Sequence, residues 1–284
     1  MTIATERPLA GRLTIGWRRP RPGVAVAVAF LLLALIAALW PGLFAGDPLR
    51  ADPLQVLQAP SAAHWFGTDQ LGRDVFDRVV HGARHSLSIG AAATAIAVTA
   101  GIVLGVVAGL SHRFADEALS RSFDALSAFP LLLLALLFIA VAGPGTISLV
   151  VAIGIATLPH YARVVRAQTF VVRQAGYVTQ AVAFGEPKAR LVVRHVLPNV
   201  LGPVPVLAMI GLGEAILAAA GLSFLGMGPQ PPSPEWGAML SEGRGYLYIA
   251  WWASILPGLA VTLTVIALTV TGRHLQRRFE GRLS

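Results

Sequence analysis

Residues 87–110 form 24 positions without one charge, and no other feature constrains this chain as much. A helix of roughly 20 apolar residues spans the hydrocarbon of a bilayer, a length that core helices of soluble domains seldom need. Comparable runs recur at 24–39, 131–142, 147–158, 200–220 and 251–272. Only 13% of the chain is charged and 55% is hydrophobic, where soluble domains carry roughly 25% charge. The fold class expected is an all-α membrane protein with six transmembrane helices. Two of the runs, 131–142 and 147–158, are too short to cross alone, so both should draw on flanking sequence, from about Phe123 and to about Arg166. Gly143-Pro144-Gly145 would join them in a tight hairpin.

The segments between the runs sort by charge. A basic leader, 1–23, precedes the first span, 24–45. A secretory signal peptide is the competing reading of that start, but the apolar run extends through Trp40 to Phe44 and more spans follow. A polar loop, 46–85, comes next, then a five-helix core over 86–272 containing a polar, basic interruption at 177–199, and a tail at 273–284. Seventeen of the Lys and Arg residues fall in the leader, in 111–127, in 163–194 and in the tail, against five in the remaining loops. By the positive-inside rule both termini then face the cytosol, with 47–81 and 224–242 outside.

Several chemistries are excluded. The absence of cysteine removes disulfides, thiolate metal sites and a cysteine nucleophile. The net charge of +8 flanks apolar spans instead of forming one patch, which argues for membrane orientation over nucleic acid. His81 and His85 stand four apart without a third ligand at usable spacing, so no metal site is assigned. No GxxxxGK[ST], HExxH or GxSxG is present, so the chain is not expected to bind ATP or hydrolyse substrate. Gly101, Gly105 and Gly109 repeat every four residues inside an apolar helix, a packing stripe and not a dinucleotide fingerprint. Glu214 is the one carboxylate in the fifth span, and an acid at that depth either lines a path or pairs with a neighbouring helix.

The interruption at 177–199 reads as a helix from Tyr177 to Phe184, a left-handed stop at Gly185, and a second helix from Lys188 that ends at Pro198. Gly185, separated by a nine-residue spacer from His195-Val196-Leu197-Pro198, resembles the EAA loop of ABC importer permeases, and more narrowly the C-type subunit of the dipeptide, oligopeptide and nickel group. His64-Trp65-Phe66-Gly67-Thr68-Asp69-Gln70-Leu71-Gly72-Arg73-Asp74, Leu158-Pro159-His160-Tyr161 and Leu222-Ser223-Phe224-Leu225-Gly226 agree with it. The loop departs from the pattern: Thr179 replaces the usual Glu, Gln180 the first Ala, and Val182 a basic residue, while Ala181 and Gly185 are retained. A second departure is Ala218-Ala219-Ala220, where related chains often carry their acid.

The resemblance implies a type I importer architecture in the bacterial inner membrane, carrying di- or oligopeptides delivered by an external solute-binding protein. The implied partners are a homologous second permease subunit, two ABC ATPase subunits that use ATP and Mg, and membrane lipid. No cofactor is expected on this chain. Tyr177, Thr179, Gln180, Ala181, Phe184, Gly185, Leu197 and Pro198 become candidate ATPase contacts, with Tyr177, Ala181 and Phe184 on one face, and Glu214 a candidate path residue. A nickel or metal-chelate importer is the alternative cargo. A proton-coupled secondary transporter is the rival from another class, and it lacks the expected chain of buried ionisable groups.

Overall fold

The computed structural model describes residues 22–280, so all but the last two residues of the expected leader, and the end of the tail, lie outside the described residues. The helices are α1 (Pro22–Leu39), α2 (Val75–Leu110), α3 (Arg113–Ser127), α4 (Leu131–Ala142), α5 (Thr146–Arg173), α6 (Gly176–Ala183), α7 (Lys188–Leu191), α8 (Leu197–Val200), α9 (Val204–Phe224), α10 (Trp236–Gly243) and α11 (Trp252–Glu280). Among the described residues α1, α2, α5, α9 and α11 are long and apolar enough to cross a bilayer. A sixth span exists only if α3 and α4 are counted together, and they are bent by 93° at their junction.

That bend corrects the expectation that the 131–142 span extends back to about Phe123. Pro130 has no N–H to continue the helix and disfavours helical geometry at Phe129. α3 therefore closes on itself, with the Ala128 N–H donating to Asp124 O at 2.9 Å. The twelve residues of α4 rise only ~18 Å, short of the ~30 Å of hydrocarbon.

The other boundaries move outward. Gly72-Arg73-Asp74 can start a helix that runs into the next span, and α2 does begin there, at Val75, a dozen residues before its uncharged run at 87–110. Asp74 caps it by accepting from the N–H groups of Phe76 and Asp77 at 2.8 and 3.1 Å. The last part of the expected 46–85 loop is thus helical, and Arg84 on it donates to Ala38 O and Leu39 O at 2.7 Å each. Those bonds satisfy terminal carbonyls of α1, where a cation also suits the helix dipole. At the chain's other end α11 runs past residue 272 to Glu280 with Pro257 inside it.

Glycines decide how closely the spans approach. A Cβ at Gly101 would lie 2.6 Å from Tyr161 Cβ, one at Gly105 2.6 Å from Ala162 O, and one at Gly109 2.5 Å from Thr169 Cβ. α2 and α5 are consequently in backbone contact, and Gly154 of α5 answers Ile96 of α2 in the same way, at 2.8 Å. Without a hydrophobic driving force between helices in lipid, such close packing is the main source of attraction. Large apolar side chains, among them Val103, Leu133, Leu137, Leu217, Leu263 and Ile266, remain exposed on the outside, as suits surfaces facing lipid or other subunits.

α3 is held to α5 by charge. Arg166 forks onto Asp116, with Nη2 donating to Oδ2 at 2.7 Å and Nε to the other oxygen. These bonds hold the Asp116 carboxyl below the usual carboxylate range. A carboxylate depressed in the fold stabilises it fully above the unfolded pKa of about 3.9, and that contribution disappears as pH falls through the lower folded value. We expect Asp116→Asn to remove this component of acid destabilisation, read as thermal stability of the purified chain between pH 6 and pH 3. An unchanged profile would show that the pair contributes nothing.

Candidate functional site

The 177–199 segment folds as two short helices around a closed turn. α6 ends in a Schellman arrangement, with Glu186 N–H donating to Ala181 O at 3.1 Å and Gly185 N–H to Val182 O at 3.0 Å. That closure needs a left-handed residue between them, and Gly185 has φ +78°. Glu186 then reaches His195 across the turn at 2.9 Å, and the Tyr177 ring lies 6.4 Å from the His195 ring.

The second helix corrects the expected stop at Pro198. After α7 the chain makes a π-turn over Val192–Val196, and α8 carries it through Pro198 to Val200. The wider turn absorbs the proline: Leu197 N–H donates back to Val192 O, and the Asn199 side chain takes His195 O at 2.7 Å. A π-turn relieves the clash that Pro198 would cause in a regular α-helix.

Exposure separates an inner from an outer face. Phe184 is 90% exposed and Tyr177 45%, with Thr179, Gln180 and Pro198 also open and Ala181 and Leu197 half-buried. Val178 points inward and is 3% exposed, packing with Val165, Val172, Val196, Val200 and Val204. Sequence reading missed this anchor, although the valines at 192, 196 and 200 recur every four residues. Through this cluster the loop is fastened to α5 and α9 together.

Those same two helices wall a cavity of about 370 Å³ whose lining includes Thr157, His160, Tyr161, Arg163, Gly211 and Glu214. Glu214 is exposed, and Tyr161, behind which Gly101 packs, projects its hydroxyl over Gly211, where a Cβ would lie 1.9 Å from that oxygen. Glu214 and the Gly185 turn are therefore remote from one another but joined by α5 and α9.

At the far end of the bundle lies a feature that the sequence did not announce. Arg78 Nη1 donates to Asp69 Oδ2 at 2.7 Å and to Glu242 Oε2 at 2.8 Å. Arg73 donates to the same two oxygens at 2.7 Å each. Arg78, Arg73 and Asp69 are 1, 3 and 2% exposed. At the start of α10, Glu235 is buried and caps that helix through Gly237 N–H and Ala238 N–H at 2.9 and 2.8 Å, while accepting from the Ser86 hydroxyl of α2 at 3.1 Å. The His64–Asp74 stretch is thus locked to α10 and, through Trp252 Nε1 on Thr68 O at 3.0 Å, to α11. His81 Nδ1 is engaged with Asp77 O at 2.9 Å, and no group of three metal-ligating side chains exists among the described residues.

Comparison with known proteins bears on all of this. Residues 101–284 match the family model described as "Binding-protein-dependent transport system inner membrane component". The chain belongs to this family. It is 40% identical over 261 residues to a dipeptide transport system permease protein of Alkalihalophilus pseudofirmus, covering 92% of this chain and 85% of that one. It is also 40% identical over 273 residues to a glutathione transport system permease protein of Pectobacterium atrosepticum, covering 94 and 90%. The fold is similar to that of the MetNI methionine ABC transporter in an inward-facing conformation, with a TM-score of 0.56 at 18% identity over 71% of this chain and 96% of that chain. The chain is accordingly a multi-pass inner-membrane permease with the type I ABC importer fold.

Proposed function

We propose that this permease forms half of the translocation pathway of an ATP-driven importer of di- or oligopeptides, with a second permease, two cytosolic ATPases and an external binding protein as partners. The names of relatives at 40% identity support the peptide class over a metal chelate. The observation that carries the mechanism is the loop itself. Its outer face presents Tyr177 and Phe184, while its inner face is clamped by Val178 to the helices that wall the Glu214 cavity. A helix presented to a groove binds through a few anchors on one face. Closure of ATPases gripping Tyr177, Thr179, Gln180, Ala181, Phe184, Leu197 and Pro198 would push α5 and α9 as a unit and open the cavity alternately to each side. ATP and Mg act on the partner subunits in this scheme, and lipid surrounds the bundle.

The test is uptake of a labelled dipeptide by the complete complex in liposomes, with ATP or a proton gradient supplied separately. Uptake with ATP alone is expected, and uptake driven by the gradient alone would instead indicate a secondary transporter. Orientation is read in the same system of variants. A single cysteine at Ser61 should react with an impermeant reagent in intact cells, and one at Ser284 only after permeabilisation. Labelling in the reverse order would overturn the proposed topology with both termini in the cytosol.

A further inference from the structure

Glu214 stands ten residues from each end of Val204–Phe224. At ~1.5 Å per residue that is ~15 Å from either end, half the hydrocarbon thickness. A carboxylate at this depth is costly unless something cationic or wet meets it. Among the described residues none makes a hydrogen bond or ion pair with it. The one arginine lining the same cavity, Arg163, is already engaged, with Nη2 donating to Phe123 O and to Asp124 Oδ1 at 3.1 Å each. Tyr161 adds a hydroxyl over Gly211, one helical turn from Glu214, and the His160 ring lies edge-on to Tyr161 at 5.5 Å. The cavity therefore offers one carboxylate without a fixed partner, a neutral hydroxyl and aromatic edges, in a volume of about 370 Å³ that falls within the ordinary range for small-ligand sites.

We propose that this cavity is a cation subsite on the transport path, in which Glu214 receives the α-ammonium group of a peptide in transit. The inference rests on the peptide-import reading for its cargo but not for its electrostatics, and the two are tested separately. Because the chain has no cysteine, Thr157→Cys, or Ala156→Cys should the first variant fold poorly, places a single thiol on this subunit at the cavity wall. In the assembled complex an ethylammonium thiosulfonate should modify that thiol about tenfold faster than the ethylsulfonate analogue, as a nearby unneutralised charge requires, and Glu214→Gln should abolish the difference. Equal rates with Glu214 present would mean that another subunit neutralises it, and no reaction with either reagent would mean that the cavity is closed to water. Either result overturns the site.

In liposomes, Glu214→Gln should slow ATP-driven uptake of labelled dialanine about tenfold with subunit copurification unchanged, and Glu214→Asp should retain most of the rate. Unchanged uptake would overturn the ammonium role, and loss of the second permease on purification would reassign Glu214 to pairing between subunits. If the unsubstituted complex moves no peptide under ATP, it is the import reading that fails, while the thiol rates still judge the site.

Discussion

Gly185→Val is expected to leave the permease inserted and abundant while reducing transport and binding-protein-stimulated ATP hydrolysis at least tenfold. The Gly185 backbone sits at φ +78° with nothing within 4 Å of the place a Cβ would take. Crowding is therefore absent, and the penalty is purely that of a β-branched residue in left-handed geometry, ~1–2 kcal/mol. Such strain does not unfold a membrane bundle. It is relieved by rotating φ, which breaks the Glu186–Ala181 and Gly185–Val182 bonds and swings α7 away from the Glu186–His195 contact. Tyr177 and Phe184 then no longer present one surface. Gly185→Asn, which tolerates this geometry, should keep most activity, and Arg190→Ala, on an exposed side chain, should change little. Normal coupling and normal ATPase copurification in Gly185→Val would remove the loop from the mechanism.

Arg78→Ala should be the most destabilising single change in the chain. Arg78 is 1% exposed and bridges the buried Asp69 and the mostly buried Glu242, so its removal leaves those two carboxylates with Arg73 alone. Breaking a buried ion pair on one side costs about 3–5 kcal/mol, because the surviving charge is left without compensation. The expected outcome is loss of the 46–74 segment from its seat on α10, seen as early thermal unfolding in detergent and rapid proteolysis within that segment. Arg78→Met with Asp69→Asn and Glu242→Gln should recover much of the loss, since neutralising the whole cluster removes the uncompensated charge. If Arg78→Ala melts with the parent protein, the network is not what joins the two segments.

How much of this was legible beforehand depended on the range of the interaction involved. The spans at 87–110 and 251–272, the glycine stripe at 101, 105 and 109, and the turn at Gly185 are written in consecutive residues. Apolar length, four-residue spacing and left-handed geometry are local properties, so a linear reading reaches them. The start of α2 is local as well: the cap at Asp74 sets it at Val75 despite the polarity of the turns that follow. The bend after Ser127 is decided by Pro130, whose missing N–H outweighs the span length that the short α4 would need. Pro198, which by itself stops a regular helix, is instead accommodated because the chain widens into a π-turn before it.

The pairing of Arg73 and Arg78 with Glu242, more than 160 residues away, carries no local mark, because any of the loop's arginines satisfies the same charge pattern. The sequence alone determined that this is a polytopic all-α membrane protein with a helix-turn-helix loop, since hydrophobic length and backbone constraint act residue by residue; that it is a permease followed from the resemblance of its motifs. Only the tertiary structure decided that Val178 clamps that loop to α5 and α9 and that Glu214 faces a cavity between those helices. It also decided that Arg163, on the same wall, is already taken. Burial and partnership depend on which helices meet, and that follows from packing among side chains far apart in the chain.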